Sequence, residues 1–412
     1  MKTTQKRRIF SVAYNGTDEL VTQLKTRAPL IRGVFGRRAG FLNATSGGRA
    51  LCELVDPERE KVESHIQELR AAGISFNWLM NGVVLHEEFK GEGRQAIYAE
   101  LDWISRVGVD SVTVSIPLLA GIIKQHFPQI RVHVSVFAHV DTPEKAVRWE
   151  DLGVSGVCLD RKLTRDFRML HAIRRAVGLE LELLVNDPCL ISCPYELYHD
   201  SLMSRASLPS RGDYLHYCSY RCLLDFARDP GELIKSTFIR PEDLEEYLSI
   251  GIDRFKVVDR NRPTEWIIHA LDAYIQRRYA GNLVDLLSLF SALKVERPDA
   301  VKFVNAQHIS RSTIHEIWKG IQAILGFYID NRTLDGFLEF FKRTECNKTS
   351  CKECNHCATI AKGAVRANER SAEEARLLLQ NILDILHSRD LCSLNFAGYD
   401  NEGGPIFFRG NE

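Results

Sequence analysis

The sequence predicts an α/β fold, a (β/α)8 TIM-like barrel with a cysteine-bearing insertion after strand 7 and a C-terminal helical appendage. Eight β-rich runs alternate with helical stretches over the first two thirds of the chain. Several of these runs are continuously apolar, as expected of strands that are buried on both faces. The β signal fades after Tyr279, which places a different, helical region at the end. An open doubly wound sheet is the alternative architecture.

The predicted elements follow one another along the chain with short connections. Pro117 and Pro143 stand just after a strand or a loop, where the first turn of a helix tolerates proline. Apolar residues three and four apart predict helices at residues 57–72, 94–107 and 162–177. The eight predicted strands are residues 9–14, 30–35, 75–80, 111–116, 131–137, 156–160, 181–186 and 254–259.

The connection after the seventh strand is too long for a simple loop. An insertion at the carboxyl end of a barrel strand lies on the catalytic face of such a fold. We therefore predict a barrel over residues 1–280 with an iron–sulfur insertion at 187–241, followed by a helical domain at 281–412. The helices predicted in this last domain are residues 283–293, 312–325, 334–343 and 371–388.

Composition restricts the class of protein. The 54 Lys and Arg residues balance the 54 Asp and Glu residues, which argues against a strongly basic nucleic-acid binder, although a local basic patch suffices for RNA. No apolar segment follows the basic start, and no run of about 18 apolar residues occurs, so neither secretion nor a membrane span is expected. We expect a cytoplasmic protein, in which clustered cysteines bind metal more often than they form disulfides.

Four cysteines in the insertion form the first thiol group: Cys189, Cys193, Cys218 and Cys222. They are arranged as two C-x3-C pairs. Residues i and i+4 of a helical turn share one face, so two such turns would clamp one metal cluster. Structural zinc more commonly uses C-x2-C pairs, and the spacing therefore favours a [4Fe–4S] cluster. Zinc and unmetallated core cysteines are the alternatives.

Four further cysteines form the second thiol group: Cys346, Cys351, Cys354 and Cys357. The opening C-x4-C-x2-C matches the plant-type ferredoxin run, but the fourth cysteine here is close rather than distant. This group predicts a second iron–sulfur cluster or a zinc site. His356 is an alternative ligand.

Residues 186–195 read Asn-Asp-Pro-Cys-Leu-Ile-Ser-Cys-Pro-Tyr at the end of a predicted strand. The pattern Asn-x-x-Cys-x-x-x-Cys-Pro resembles peptidase family U32, the collagenase-like proteases. The segment Phe-Ile-Arg-Pro-Glu-Asp-Leu at 238–244 is similar to the approach to the eighth strand of that family. Residues 132–137, 153–161 and 251–256 support the resemblance, which covers roughly residues 70–280.

The resemblance implies a barrel with a cysteine-bound [4Fe–4S] cluster. In several branches it implies oxygen-independent hydroxylation of the ubiquinone ring, or of uridine or cytidine in RNA, with prephenate as the oxygen donor in some of them. Other branches are described as peptidases. The hydroxylating branches often have a longer gap between their first two cysteines than the three residues found here.

Polar residues at strand ends are the candidates for chemistry on a barrel. Arg161, Arg240 and Arg260 would present forked donors to a carboxylate-bearing substrate, or pair with nearby acids. His199 would donate to a cluster sulfur, shuttle a proton or cap a helix. With Asn186 these are the candidate catalytic residues. The strand ends as a whole carry Asn81, Ser115, His139, Asp160, Arg161, Asn186, Asp259 and Arg260.

Three functions are consistent with these patterns. The first is an iron–sulfur oxidoreductase that hydroxylates a small molecule, a peptide or RNA, with the second cluster relaying electrons from a donor protein or a paired family member. The second is a peptidase, which the lack of a Gly-x-Ser-x-Gly, His-Glu-x-x-His or P-loop motif makes weaker. The third is a zinc-stabilised binding protein without catalysis.

Overall fold

Eight parallel strands close into a barrel in the order β1 to β8, with β8 returning to pair with β1 through Phe255 and Phe10. This topology confirms the predicted (β/α)8 fold. The computed structural model describes residues 8–38, 47–49, 57–85, 89–208, 217–289, 326–387, 394–399 and 405–409. The strands are Phe10–Ala13, Ile31–Gly36, Ser75–Met80, Ser111–Val114, Arg131–Val134, Gly156–Cys158, Glu180–Leu184 and Arg254–Val257, numbered β1 to β8 in that order.

Helices alternate with the strands and cover the outside of the barrel. Side-chain caps define several starts: Thr17 accepts from the Leu20 amide, and Asp166 accepts from the Met169 amide. Among the described helices, none has the length and apolar content needed to cross a membrane. Six helices follow the first six strands: Asp18–Lys25 (α1), Arg59–Ala71 (α2), Gly91–Val107 (α3), Pro117–His126 (α4), Pro143–Asp151 (α5) and Phe167–Ala176 (α6).

The apolar core lies mainly between the strands and the helices, because the barrel interior carries charged side chains. Ser11 Oγ on β1 donates to Glu182 Oε1 on β7 at 2.5 Å, across the barrel and past β8. Lys256 Nζ lies 3.7 Å from the Glu182 carboxylate. Burial and the surrounding cations hold the pKa of His133 well below its usual value. The interior is therefore an ion-paired polar layer beneath the carboxyl end of the strands.

The long connection after β7 forms three helices at the carboxyl end of the barrel. They are Glu196–Ala206 (α7), Tyr217–Arg228 (α8) and Gly231–Lys235 (α9), and α8 packs against both of the others. The chain then returns through Leu244–Ile250 (α10) to β8, and Thr264–Gln276 (α11) completes the barrel. The insertion covers the carboxyl ends of the barrel strands.

The C-terminal region is helical, as predicted, and packs on the insertion. Its helices are Leu338–Arg343 (α12), Cys351–Cys354 (α13), His356–Ala364 (α14) and Glu369–Leu386 (α15). Helix α15 packs on α8, and α14 packs on α9. Two short antiparallel sheets, which the sequence reading did not predict, pair Tyr328–Ile329 (β9) with Val365–Arg366 (β10), and Leu394–Tyr399 (β11) with Pro405–Arg409 (β12).

The helix predicted at residues 283–293 is wrong over its described part. Only Leu283–Leu286 forms a 3-10 turn, and Leu287 is extended. The Ser288 amide donates to the Asn186 carbonyl at 2.7 Å, so the backbone is held against the barrel mouth instead of continuing a helix. Residues 290–293, and the helix predicted at 312–325, lie outside the described residues.

Arg240 lies in the joint between the barrel and the C-terminal region. Its side chain is 1% exposed; Nε donates to Asn331 Oδ1 at 2.9 Å and Nη2 to Asp335 Oδ1 at 2.7 Å, and Nη1 donates to the Leu334 carbonyl. Each of the three guanidinium nitrogens thus donates a hydrogen bond within the protein. The predicted contact between Arg240 and a substrate does not fit this placement, and its role is to join the two regions.

We predict that Arg240→Ala lowers the free energy of unfolding by about 3 kcal/mol, because it removes a buried cation and leaves its partners unpaired. Urea unfolding of anaerobically prepared protein measures the change. Arg343, which is largely exposed, provides the matched control, and Arg343→Ala should leave the unfolding midpoint nearly unchanged. Equal, small effects of both substitutions would contradict the joint role.

Candidate active site

A cavity of about 180 Å³ opens at the carboxyl end of the barrel strands, beneath the insertion. All four sulfur-bearing residues of the first thiol group line it. The candidate catalytic residues His199, Arg161 and Arg260 line the same cavity. The structure thus brings together side chains that are up to 99 residues apart in sequence, as Arg161 and Arg260 are. This is the site that the fold class leads one to expect.

The first pair of thiols lies on an irregular loop rather than on the predicted helical turn. Ser192, between Cys189 and Cys193, has a left-handed backbone with φ of 55°. Thr237 clasps the loop: its amide donates to the Cys189 carbonyl at 3.0 Å, and its hydroxyl accepts from the Cys189 amide at 3.1 Å. These bonds satisfy the backbone without a helix, and the i, i+4 argument was therefore wrong for this pair.

The second pair lies on a helix, as the spacing predicted. Cys218 and Cys222 are one turn apart on α8. The Cys218 thiol contacts the Tyr195 carbonyl at 3.9 Å, which ties the start of α8 to the start of α7. The loop and the helix together direct four thiols into one cavity.

Burial controls the protonation of these thiols. Cys218 is buried, and the other three are partly accessible through the cavity. Burial raises the pKa of Cys189 and Cys222 well above the usual value, and raises the pKa of Cys218 to about 12. Negative charge on Cys193 raises the pKa of Cys218 and Cys222 further, so the thiols lie within electrostatic range of one another. Without a bound cation they are neutral and weakly nucleophilic.

The arrangement of the sulfurs bears on which metal they could hold. Zinc bound by four thiolates at ~2.3 Å places the sulfurs only about 3.8 Å apart. Among the described residues, no three cysteine sulfurs lie within 4.8 Å of one another. The donor set of four thiols in one cavity fits a [4Fe–4S] cluster, which spreads its thiolate ligands over four irons.

Arg161 connects the strand ends to the insertion. Its Nε donates to Asp187 Oδ2 at 2.8 Å, and its Nη1 donates to Glu196 Oε1 at 2.9 Å. The guanidinium also lies over the Phe137 ring at 5.5 Å. Burial alone would lower the pKa of Arg161, but nearby Cys189 and the carboxylates raise it, so the cation persists. Arg161 therefore pairs with carboxylates, which is one of the two roles predicted for it. It also lines the cavity.

His139 lies behind Arg161 in the same network. Its Nδ1 is 3.1 Å from Asp160 Oδ2, and its Nε2 is 3.1 Å from Asp200 Oδ2. Hydrogen bonds to these two carboxylates raise the pKa of His139 to about 9. Ligand atoms of His139, Asp160 and Glu196 lie within 4.8 Å of one another, but Arg161 already supplies the countercharge to Glu196. The cluster is thus an ion-pair network without a metal requirement.

The other candidate residues divide between the cavity and its support. Burial lowers the pKa of His199 to about 4, so this cavity residue is a neutral imidazole near pH 7. Asn186 does not line the cavity: its Nδ2 donates to the Val258 and Leu286 carbonyls, and its Oδ1 accepts from the Val258 amide at 2.8 Å. Asn186 therefore clamps the ends of β7 and β8 together. Of the remaining strand-end residues, Asn81 and Asp259 line the cavity.

Several residues of the site were not predicted from the sequence. Glu196 and Asp200 are one turn apart on α7 and meet Arg161 and His139; their i, i+4 spacing was the available signal. Lys256 lines the cavity and lies 4.2 Å from the Phe35 ring centroid, which the alternation along β8 could have indicated. Arg49, 3.3 Å from Asp259, comes from a part of the chain without a recognisable signal.

Comparison with known proteins identifies the family. The sequence profile of Peptidase family U32 matches residues 52–281, more than half of the chain, and the chain belongs to that family. The match begins earlier than the resemblance read from the motifs. The family assignment made from the cysteine motif is therefore confirmed.

Individual relatives carry different names. An uncharacterized protease of Methanocaldococcus jannaschii is 29% identical over 376 residues, which cover 87% of this chain and 99% of the relative. The tRNA hydroxylation protein P of Escherichia coli is 22% identical over 215 residues, which cover 50% of this chain and 46% of the relative. A solved U32 peptidase structure aligns with a TM-score of 0.46 and 22% identity, covering 64% of this chain and 96% of that one.

We predict that the stability contribution of His139 depends on pH. Its pKa is raised to about 9 from the ordinary 6.5 by Asp160 and Asp200, with Glu196 nearby, so the stabilisation is complete below about pH 6.5. It is lost as pH rises through about 9. His139→Gln should lower the free energy of unfolding by on the order of 1–3 kcal/mol at pH 6 and by much less at pH 10.

Urea unfolding at these two pH values checks the prediction. His126 is the exposed last residue of α4, and His126→Gln serves as the control. Its free energy of unfolding relative to the parent should be the same at pH 6 and at pH 10. A His139→Gln effect that is as large at pH 10 as at pH 6 would show that lost packing, rather than the paired charge, stabilises this site.

Proposed function

We propose that this chain is an iron–sulfur enzyme of family U32 that hydroxylates its substrate without molecular oxygen. The observation that carries the proposal is the convergence of four thiols in one cavity at the carboxyl end of the barrel. Cationic side chains line the same cavity. The thiols come from the loop after β7 and from α8, and the cations come from β6 and β8. This edge of a barrel holds the reaction centres of such folds.

Cys189, Cys193, Cys218 and Cys222 would hold the cluster. When bound, a [4Fe–4S] cluster supplies one-electron redox chemistry to the cavity. The thiols contribute in a second way, since binding iron converts buried neutral thiols into thiolates whose charge the metal offsets. Arg161 lies near Cys189 and adds positive charge on the protein side.

The protein's own residues position the substrate and exclude water. Arg260 and Lys256 present positive charge to the cavity, which suits a carboxylate or phosphate group on the substrate or on the oxygen donor. His199 is neutral near pH 7 because it is buried, so its ring offers one N–H donor and one acceptor. The apolar residues Leu79, Val136 and Leu184 complete the wall and limit water around the reacting carbon.

The overall reaction is balanced by two electrons. Converting a C–H bond to C–OH oxidises the substrate by two electrons, and the oxygen comes from an organic acid of the prephenate type. That donor loses one oxygen atom and is reduced by two electrons, so O2 is not consumed. Arg260 and Lys256 would meet the carboxylate of such a donor, in a cavity whose lining also holds the acids Asp187, Glu196, Asp200 and Asp259.

The names of the relatives divide between two reaction classes, hydroxylation and proteolysis. One relative is named for tRNA hydroxylation, although it shares only half of this chain. The names that refer to a protease would require an activated nucleophile or water. The buried thiols of the cavity have raised pKa values, the opposite of what an active cysteine nucleophile needs. RNA, a small molecule or a peptide are the substrates to test, with an electron donor or a paired family member as partner.

We predict that Cys193→Ala, prepared without oxygen, loses the iron of the first site and its hydroxylation activity together, while the barrel still folds. Removing one of four thiolates opens the site and lowers cluster affinity. Iron and sulfide per chain, visible absorption and far-ultraviolet circular dichroism measure these effects. Cys158→Ala is the matched control, because Cys158 is a buried cysteine that does not line the cavity.

The outcome for Cys193→Ala separates the alternatives. Unchanged iron content would contradict the ligand assignment. Loss of stoichiometric zinc instead of iron would favour the zinc-stabilised protein. Proteolysis of casein that persists in Cys193→Ala would favour the peptidase, because it would place the chemistry elsewhere.

Product analysis tests the reaction directly. Anaerobic protein is incubated with tRNA from a strain that lacks related hydroxylases, with and without prephenate, and the nucleosides are analysed by mass spectrometry. We expect a gain of one oxygen atom that depends on the donor and is lost in Cys193→Ala. Parallel incubations with quinone precursors and with peptides distinguish the substrate classes. An oxygen gain that requires O2 would overturn the proposal.

A further inference from the structure

The second thiol group lies outside the barrel, on the wall formed by the insertion. Cys346 begins a 3-10 turn, Cys351 and Cys354 begin and end α13, and Cys357 lies in the first turn of α14. Helix α14 packs on α9, and α9 packs on α8, the helix that carries Cys218 and Cys222. The two thiol groups are therefore separate sites that are joined by one set of packed helices.

The helix is interrupted between Cys354 and Cys357. On an unbroken helix, Cys351 and Cys357 would be separated by roughly 9 Å along the axis. Asn355, between α13 and α14, instead adopts the left-handed conformation with φ of 52°, which asparagine tolerates better than most residues. Its amide donates to the Cys351 carbonyl at 2.9 Å and closes α13. The chain therefore changes direction between Cys354 and Cys357.

The four thiols differ in their burial. Cys346 and Cys357 are half-buried against the core, whereas Cys351 is exposed. The group therefore has a side that faces the barrel and a side that faces solvent.

Positive charge from the barrel faces the buried side. Arg165 is 3% exposed, and its guanidinium lies within 5.4 Å of the ring centroids of Phe238, Phe337 and Phe341. Phe341 lies on α12, which ends at Arg343 shortly before Cys346, so Arg165 is buried at the base of the segment that carries the thiols. A buried arginine there would compensate the net negative charge of a thiolate-bound cluster.

The histidine in this segment is held by aromatic stacking. The His356 ring lies 3.7 Å from the Phe340 ring centroid at an interplanar angle of 11°. The ligands proposed here are the four thiols, with His356 as a packed neighbour.

Spacing and geometry distinguish iron–sulfur from zinc. The run from Cys351 to Cys357 is C-x2-C-x2-C, the spacing with which bacterial ferredoxins supply three ligands to one cubane, the fourth ligand coming from outside the run. Here Cys346 is that fourth cysteine. A zinc site would use two pairs, Cys346 with Cys351 and Cys354 with Cys357, but only two residues separate these pairs, whereas zinc motifs usually place about 12–20 residues between them. Among the described residues, no three of these sulfurs are within 4.8 Å, wider than the ~3.8 Å spacing of a zinc–thiolate tetrahedron.

We propose that Cys346, Cys351, Cys354 and Cys357 bind a second [4Fe–4S] cluster, which holds the C-terminal helices α12 to α14 against the barrel wall. The site is independent of the reaction proposed for the cavity. Cys346 and Cys357 anchor the cluster on the side of Arg165, and Cys351 and Cys354 close it on the solvent side. Loss of the cluster would release these helices from α9 and would separate Phe337 and Phe341 from Arg165.

Metal analysis of anaerobically prepared full-length protein tests this site. We expect about eight irons and about eight sulfides per chain, four of each for every cubane. Cys351→Ser/Cys354→Ser should halve both values and leave the cluster of the first site. Cys193→Ala should also halve them and leave the second cluster. Glu353→Ser, which changes an exposed residue of the same helix, is the matched control and should retain full iron.

The two proposals fail in different ways. About four irons that are lost in Cys351→Ser/Cys354→Ser but kept in Cys193→Ala would support the second cluster and overturn the first. One zinc per chain that disappears in Cys351→Ser/Cys354→Ser would overturn the second cluster, as would iron that is unaffected by that change. If the double variant does not fold, Mössbauer spectroscopy counts cluster irons in the parent and in Cys193→Ala, and a parent with four irons that Cys193→Ala loses would overturn the second site.

Protease sensitivity tests the bracing role. In limited proteolysis, residues 326–366 of the double variant should be cleaved at a several-fold lower protease concentration than in the parent. The barrel fragment should persist. Equal cleavage rates in a variant that has lost half of its iron would show that the cluster does not hold these helices.

Discussion

The position of the candidate site depends on Arg161. This buried arginine follows β6, donates to Asp187 after β7, and donates to Glu196 at the start of α7. One cation thereby joins a strand end, the loop that carries the first thiols and the first helix of the insertion. Removing one partner of such a buried pair typically costs about 3–5 kcal/mol, because the remaining charge has no compensation. The thiol-bearing loop can therefore be irregular, because ion pairs to Arg161 fix both of its ends.

The same region shows how polar groups are accommodated at the mouth of a barrel. His139, Asp160 and Asp200 extend the network around Arg161, and Asn186 clamps the neighbouring strands through the Val258 backbone. Each of these groups is paired within the protein, so the desolvation cost of placing it near the cavity is offset. The residues left facing the cavity are the thiols and the side chains that could contact a substrate.

The C-terminal region is part of the same scaffold rather than a detached appendage. Arg240 joins it to the barrel through Asn331 and Asp335, and Arg165 inserts between its phenylalanine rings. Helices α14 and α15 complete the contact by packing on α9 and α8. An arginine with planar donors and a π-stacking face can serve both functions, which lysine cannot. This explains why Arg165 and Arg240 contact other parts of the protein instead of a ligand.

Much of the barrel could be predicted from local pattern. Continuous apolar runs separated by amphipathic stretches specified the eight strands and their order, because a strand buried on both faces leaves few alternatives. The i, i+4 pair on α8 was also predictable. The loop of Cys189 and Cys193 was not, because Thr237, 44 residues beyond Cys193, satisfies its backbone and removes the advantage of a helix. The pattern at residues 283–286 predicted the start of a long helix. The helix does not continue, because the Ser288 amide donates to the Asn186 carbonyl.

Sequence by itself determined the family, the (β/α)8 fold and the two groups of thiols, since each of these is written in periodicity or in the close spacing of a motif. Only the tertiary structure decided which polar residues face the cavity. Arg161 and Arg240 look alike in sequence, as arginines next to acids, yet one lines the cavity and the other joins two regions. Side-chain partners that are 26 to 95 residues away make this difference, and no local pattern encodes contacts over such distances.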